Sequence, residues 1–533
     1  MFSFSCKIFS FFSLLTLSAP QFQAGAMPED EADSASHTRT HYAQDYMDNV
    51  ARNELGHALT GVLALTAAGD TIVSWNSGSL LMPASNMKLL TTGLALDALG
   101  SDFEYRTGIG YSGKICDSTL VGDLYITGGG DPTLASDDSI ATALGELFRH
   151  WTGFLGKAGI RKIDGHIIGD DRYFGLPMPE EQTWQWDDCG TYYGAGVSGL
   201  TFFENMQTFS VAPGNEVGAP VSIQEKFPEC PWMEYRYSCT TGEAGTGDRL
   251  YFYTTDMVPV GEMRGTFAVD RAPKTLECSN KFPAYTCAAY FTGCLSDRGI
   301  ECTEGPADTG FFAPSDGCVP QDSLTMLGRT ASPSLGRIAF MTNHDSNNVY
   351  AETLYHTLGK ELWGKSDYVS SRQVMRKLLQ EKGLDPRGIV IQDGSGLSRH
   401  NLLSPSFICG FLKAMEKSPE SGAFILSLPS PGDGGTMETV MAGYDRSLKS
   451  RVRLKSGSMT GVKCFSGYVF PTSEATDAAG DITGTAAGDS AVTSGPAVFS
   501  IMINNSLMSQ YRMQKIIDRL IFLITADMDS NPS

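Results

Sequence analysis

Leu81-Met82-Pro83-Ala84-Ser85-Asn86-Met87-Lys88-Leu89-Leu90-Thr91-Thr92 sets a hydroxyl and an amine three positions apart, at the head of an apolar run: Leu89, Leu90, Leu94, Leu96 and Leu99. On a helix, residues i and i+3 lie on one face about one turn apart. Pro83 and Ala84 are expected to open that helix, which puts Ser85 near its N-terminus, where backbone donors point outward. A serine hydroxyl is a weak nucleophile until a base takes its proton, and a desolvated lysine amine within hydrogen-bond reach can do so. The same residues also read as an ordinary helix start, with serine as a partial cap and lysine solvated. Four residues are too few to choose between these readings, so the rest of the chain decides.

The chain has 533 residues, enough for two or three domains. A hydrophobic content of 41% and a charged content of 19% belong to a globular protein. The net charge of −20 argues against a nucleic-acid binder, which needs a basic stripe. Lys7, the apolar stretch Ile8 to Ala19, and Ala24-Gly25-Ala26 follow the pattern of a secretory signal peptide, cleaved near Ala26. No later segment reaches the length of a membrane span, so an exported protein without a transmembrane anchor is expected. Twelve cysteines then favour disulfides, with seven crowded between Cys230 and Cys318. Neither a Cys-x-x-Cys pair nor a His-Glu-x-x-His motif accompanies them, so no metal and no cofactor is expected.

Along the chain, a helix is expected from Tyr42 to Leu55, and a hairpin from Gly61–Leu65 and Thr71–Trp75 around Ala68-Gly69-Asp70. Strands are expected over Phe103–Tyr111, Thr119–Thr127 and Ile163–Asp171, with a helix at Ile140–Ala158. Gly128-Gly129-Gly130-Asp131-Pro132 reads as a turn and not a phosphate loop, because no Lys-Ser/Thr pair follows it. Trp184-Gln185-Trp186-Asp187-Asp188 is an aromatic, acidic loop suited to a sugar or a cation, or to packing as a loop anchor. Residues 205–325 read as strand-like and turn-rich, and helical signals return at Leu324–Leu327 and Ser334–Asn343. Ser346-Asn347-Asn348 stands before an amphipathic helix. Ile389–Gln392 reads as a strand entering the turn Asp393-Gly394-Ser395-Gly396. Val452–Lys455 leads as a strand into Ser456-Gly457-Ser458, and Cys464–Phe470 and Ala497–Asn504 are further strands. The segment 472–495 between them reads as an acidic, disordered excursion. A helix over Tyr511–Thr525 closes the chain.

Ser85-x-x-Lys88, Ser346-x-Asn348 and Lys455-Ser456-Gly457, in that order, resemble the signature of the penicillin-recognising serine enzymes. Gly122–Leu134, Tyr192–Leu200, Ser346-Asn347-Asn348 and Asp393–Arg399 carry the likeness further. They resemble class C low-molecular-mass penicillin-binding proteins, the D-alanyl-D-alanine carboxypeptidase/endopeptidase family of the bacterial envelope. The resemblance implies an α/β (α+β) fold, with a transpeptidase-like domain of antiparallel sheet flanked by helices. That domain would comprise residues 27–104 and 326–533, and one or two mostly-β, cysteine-rich domains would be inserted at 105–325.

The resemblance also implies roles. Ser85 is the nucleophile, Lys88 its base, Ser346 a proton relay to the leaving amine, and Asn348 the residue that orients Lys88 and the substrate amide. Lys455 with Ser456, Gly457 and Ser458 holds the terminal carboxylate, and the N–H groups of Ser85 and Ser458 form the oxyanion hole. Asp188 holds the free amine of a diamino acid in the stem peptide, while Asp393 and Ser395 have a structural role first. Lys-Ser-Gly replaces the commoner Lys-Thr-Gly and keeps the hydroxyl. The expected partners are peptidoglycan stem peptides in the periplasm and β-lactams as covalent inhibitors. A β-lactamase, an exported esterase and a non-catalytic peptidoglycan-binding envelope protein are the alternatives.

Overall fold

Phe499, Ile501 and Ile503 point to one side of the strand Ala497–Asn504, and Val498 and Met502 to the other. Every residue of this strand is buried, because it lies at the centre of a five-stranded antiparallel sheet covered on both faces. The sheet runs Val452–Met459, Val462–Val469, Ala497–Asn504, Leu59–Leu65, Thr71–Trp75. The last two strands form the hairpin expected from the sequence, turning at Gly69, whose φ of 96° favours glycine. Leu59–Leu65 pairs with Ala497–Asn504, Val62 opposite Ile501, so the two ends of the described chain meet at the middle of one sheet. The computed structural model describes residues 41–175, 180–472 and 495–530. The signal-peptide reading and nearly all of the acidic excursion lie outside these residues.

One face of the sheet is covered by the helices Tyr42–Asn53 and Gln510–Ser530, through Met47, Val50, Met513, Ile517 and Ile521. The other is covered by Pro405–Met415 and the helical layer around Met87–Leu99. Leu89, Leu90, Leu94 and Leu96 in that central helix have no exposed surface. Every residue from Met87 to Leu96 is buried, polar Lys88, Thr91 and Thr92 among them, so this helix is a core helix and not a surface one. Complete burial of each leucine contributes roughly 1.5–3 kcal/mol. Asn86 donates to Ser466 Oγ at 2.7 Å and Ser466 to Ser500 at 2.9 Å, so a buried polar thread ties the head of the helix to two central strands. Asn504 accepts from Met82 N at 2.7 Å and fixes the segment leading into Ser85.

The described residues between Gly100 and Ser332 form four further sheets. Arg106–Tyr111 lies beside Thr325–Ala331, and that pairing closes the excursion where it began. Trp151 of the helix Leu144–Lys157 and Phe291 of the helix Pro283–Asp297 meet edge to face at 5.4 Å and centre its largest core. Strands Glu234–Gly242, Val258–Ala268 and Asp248–Thr255 form a separate three-stranded sheet.

Several expectations change. Leu324–Leu327 is not helical, because Thr325–Ala331 is a strand whose pairing partner lies more than 200 residues away. Residues 205–325 are not uniformly strand-like. Pro283–Asp297 is a helix with proline in its first turn and Ala284, Cys287, Ala288, Phe291 and Leu295 buried on one stripe. Ile389–Gln392 makes only an isolated bridge, Val390 to Leu402.

The cysteines also depart from expectation, since all eleven of those described carry free thiols. Strand register places Cys239 opposite Gly265 and Cys278 opposite Gln207, not opposite another cysteine. Cys287, Cys409 and Cys464 are completely buried and pack as small apolar groups, with burial pushing their thiols up.

Candidate active site

The turn before Met87 is not a simple helix start. Ala84–Asn86 forms a single 3₁₀ turn, and Ala84 itself takes a left-handed backbone with φ 46°. Such a conformation costs about 1–3 kcal/mol and persists only where neighbours enforce it. Two glycines press against it. A Cβ on Gly396 would stand 1.9 Å from the Ala84 carbonyl oxygen, and one on Gly457 would stand 2.9 Å from the Ser85 nitrogen. The turn is thereby clamped between the 393–398 loop and the strand Val452–Met459, with Ser85 left facing a cleft of about 1480 Å³.

Lys88 lies one turn into the helix with no exposed surface. Its Nζ donates to Ser85 Oγ at 3.0 Å, to Asn348 Oδ1 at 2.6 Å and to the Ser395 carbonyl at 2.8 Å. Burial lowers its pKa to about 7, against the opposing pull of the Glu352 and Asp393 carboxylates. Lys455, also fully buried, donates to the Ser456 carbonyl at 3.0 Å. Burial and the neighbouring Lys88 charge hold Lys455 well below the usual lysine range, and Asp345 opposes them. The amine beside Ser85 thus gives up its proton near neutrality.

Asn347, not Ser346, caps the helix Asn348–Trp363, accepting from Tyr350 N at 3.0 Å. Asn347 also donates to Glu204 at 2.5 Å. Relieved of capping, Ser346 stands in the cleft wall with φ 60°. Asn348, at the first turn, donates to the Tyr193 carbonyl at 2.8 Å while accepting from Lys88. Ser458 is exposed on the cleft wall, whereas Ser456 and Gly457 are buried behind it. Asp188 lies half-buried on the cleft and accepts from Tyr193 OH at 3.1 Å, and burial raises its pKa. The structure therefore brings Ser85, Lys88 and Asn348 into direct contact, with Lys455 beside them and Ser346, Ser458 and Asp188 around one cleft.

Beneath Lys88 lies a layer that motif reading passed over. Glu352 is buried on the same helix as Asn348, four residues on, and accepts from Ser395 N at 2.7 Å and Gly394 N at 3.1 Å. That i, i+4 spacing in the sequence was the available signal. Asp393 accepts from Gly396 N, Ser398 N, Asn401 and Trp184 Nε1 at 2.6–2.9 Å. These two carboxylates hold the loop that presents the Ser395 carbonyl to Lys88. Burial, and then Asp393, push Glu352 up to about 8, while the N–H donors pull it down.

The profile of the D-Ala-D-Ala carboxypeptidase 3 (S13) family matches residues 43–526. A D-alanyl-D-alanine carboxypeptidase of Actinomadura sp. (strain R39) is 30% identical over 466 residues, which cover 84% of this chain and 82% of that protein. The crystal structure of penicillin binding protein 4 (dacB) from Haemophilus influenzae has the same fold, with a TM-score of 0.73 at 21% identity over 90% of this chain and 99% of that one. The same Haemophilus protein complexed with a β-lactam gives a TM-score of 0.69 at 19% identity, over 91% and 99% of the two chains. Among the described residues, no helix is long and apolar enough to cross a membrane. The chain belongs to the D-Ala-D-Ala carboxypeptidase 3 (S13) family, and is a serine-type hydrolase on the α/β penicillin-recognising fold.

Proposed function

We propose that the protein is an exported D,D-peptidase that cleaves D-Ala-D-Ala termini of peptidoglycan stem peptides through an acyl-enzyme on Ser85. The observation that carries this reading is the 3.0 Å contact between a buried, readily neutralised Lys88 amine and the Ser85 hydroxyl. Neutral Lys88 takes the Ser85 proton as Oγ attacks the penultimate D-alanine carbonyl. The developing oxyanion is held by the N–H groups of Ser85 and Ser458, and the C–N bond breaks as Ser346 passes a proton to the leaving D-alanine amine. Water then hydrolyses the ester. Lys455 holds the substrate carboxylate, which supplies a counter-charge for a lysine otherwise bonded to a backbone carbonyl. Asp188 takes the side-chain amine of the third stem residue.

The size of the cleft supports a second stem peptide as well, and with it endopeptidase cleavage of D-Ala–diamino acid cross-links. The β-lactam bound by a protein of the same fold supports acylation by that drug class. We assign this chemistry to a discontinuous domain built from the segments before about residue 104 and after the strand Thr325–Ala331, with the intervening sheets as one or two inserted domains.

Intact mass spectrometry with benzylpenicillin tests the proposal. A stable adduct of one drug molecule on Ser85, absent in Ser85→Ala, is expected, together with release of D-alanine from a pentapeptide. Hydrolysed drug without an adduct would instead mark a β-lactamase. Intact drug and intact peptide would mark a non-catalytic envelope protein.

A further inference from the structure

Two tryptophans stand two positions apart in the loop Trp184–Asp188, and they are used in opposite ways. Trp184 is 8% exposed, and its indole N–H donates to Asp393 at 2.9 Å. Arg399 Nε holds the next residue, donating to Gln185 Oε1 at 2.9 Å. Trp186, on this anchored loop, is 66% exposed. The gain from burial that ordinarily accounts for a tryptophan does not account for this one.

Trp186 is nevertheless placed. Its ring stacks against Tyr253 with centroids 6.3 Å apart and planes 25° from parallel. The Arg264 guanidinium lies over the Tyr253 ring at 5.4 Å and is itself held by Glu262 at 2.7 Å. Tyr251, two positions from Tyr253 on the strand Asp248–Thr255, faces the same side and is 50% exposed. Tyr251, Gln185 and Asp187 also line the cleft that holds Ser85. The aromatic surface is therefore continuous with the reaction cleft.

We propose that Trp186, Tyr253 and Tyr251 form a carbohydrate subsite that receives an N-acetylhexosamine ring of the glycan strand bearing the stem peptide. This rests on the peptidase reading above. A pyranose offers a flat C–H face, which packs on an aromatic ring, and a rim of hydroxyls, which bond to carboxylates and guanidinium groups such as Asp187, Glu262 and Arg264. Reach favours the same occupant. With the third-residue amine at Asp188, the sugar lies beyond the diamino side chain and two further stem residues, and those two residues alone extend to about 7 Å. Trp186 is two chain residues from Asp188, so its Cα lies within about 7 Å of that of Asp188, a distance the substrate can cover.

The test compares two substrates of identical peptide sequence, one free and one carried on its disaccharide, in the full chain and in Trp186→Ala. KM for the sugar-bearing substrate is expected to rise roughly tenfold. Hydrolysis of the free peptide and penicillin acylation should stay within about twofold. Trp186→Phe, which keeps a ring, should recover most of the loss. In parallel, titration with a β-1,4-N-acetylglucosamine tetramer should quench tryptophan fluorescence of the native protein and not of Trp186→Ala. Equal losses on both substrates, no loss on either, or no response of the native protein to the tetramer would overturn the subsite. If the native protein cleaves neither peptide and takes no penicillin, the peptidase reading fails, and the tetramer titration still decides whether the sugar site exists.

Discussion

Gly457 packs directly on the backbone of Ser85: a Cβ at position 457 would stand 2.9 Å from the Ser85 nitrogen and 2.7 Å from the Pro83 carbonyl oxygen. The glycine of the Lys-Ser-Gly motif thus allows the strand Val452–Met459 to lie against the turn that carries Ser85. The obstructing atoms are backbone, so no side chain can swing away. Gly457→Ala should cost about 1–3 kcal/mol of stability by overpacking. It should also slow acylation by roughly a hundredfold, because a shift of about 1 Å in a reacting group has that effect. Thermal unfolding and the rate of labelling by a fluorescent penicillin measure the two effects. Wild-type labelling in this variant would show that the turn tolerates displacement.

Glu352 touches neither Ser85 nor the cleft, yet it sets conditions for Lys88. It accepts from Gly394 N and Ser395 N, the two N–H groups that precede the Ser395 carbonyl, and burial pushes it up to about 8, so it is largely neutral where Lys88 titrates. Asp393 faces Lys88 from the same loop, and Lys455 is the nearby cation on the neighbouring strand. Acylation should rise with pH through about 7 as Lys88 loses its proton. Glu352→Gln keeps the neutral form that predominates near pH 7, so the acid limb should stay close to 7. Stability should fall by about 1–3 kcal/mol through the impaired backbone acceptor. An acid limb moved to lower pH would show instead that an ionised Glu352 holds the Lys88 proton.

Asn348→Asp, in contrast, should move the acid limb. The Asn348 Oδ1 that accepts from Lys88 at 2.6 Å would become part of a carboxylate and hold the ammonium form. Activity at pH 7 should drop by about two orders of magnitude, the acid limb should shift upward, and activity should recover in part at higher pH. A loss uniform across pH would instead assign the effect to the broken bond with the Tyr193 carbonyl.

The proximity of Ser85, Lys88 and Asn348 was legible in the sequence because local spacing builds much of it. Ser85 and Lys88 meet through one helical turn, Ser346 and Asn348 flank one helix start, and Lys455 lies within the strand Val452–Met459. Glu352 was within reach of the same logic but belonged to no motif. What sequence spacing does not carry is register across long separations. The pairing of Thr325–Ala331 with Arg106–Tyr111, the approach of the Tyr193 carbonyl to Asn348, and the contact of Gly396 with Ala84 each depend on how distant segments fold together. The helix Pro283–Asp297 was misread for another reason: its buried stripe includes Cys287, taken for part of a disulfide framework, whereas the thiol serves as a small apolar group.

Asp188 carries the specificity prediction. It lies on the cleft wall with Tyr193 OH as its hydrogen-bond donor, and Tyr193 bonds through its carbonyl to Asn348. One residue thus links the acid that would read a substrate amine to the amide that bonds to Lys88. Asp188→Asn keeps the size of the side chain and an acceptor for Tyr193 while removing the charge. For a stem peptide with a free side-chain amine, kcat/KM should fall about ten- to a hundredfold, the loss expected when one partner of a partly desolvated ion pair is neutralised. For the same peptide with that amine acetylated, the native protein should be slow and the variant no slower. Acylation by benzylpenicillin, which carries no such amine, should not change. An equal loss on amine-bearing and acetylated peptides would show that Asp188 acts through Tyr193 and Asn348 on the catalytic geometry, and not on substrate charge.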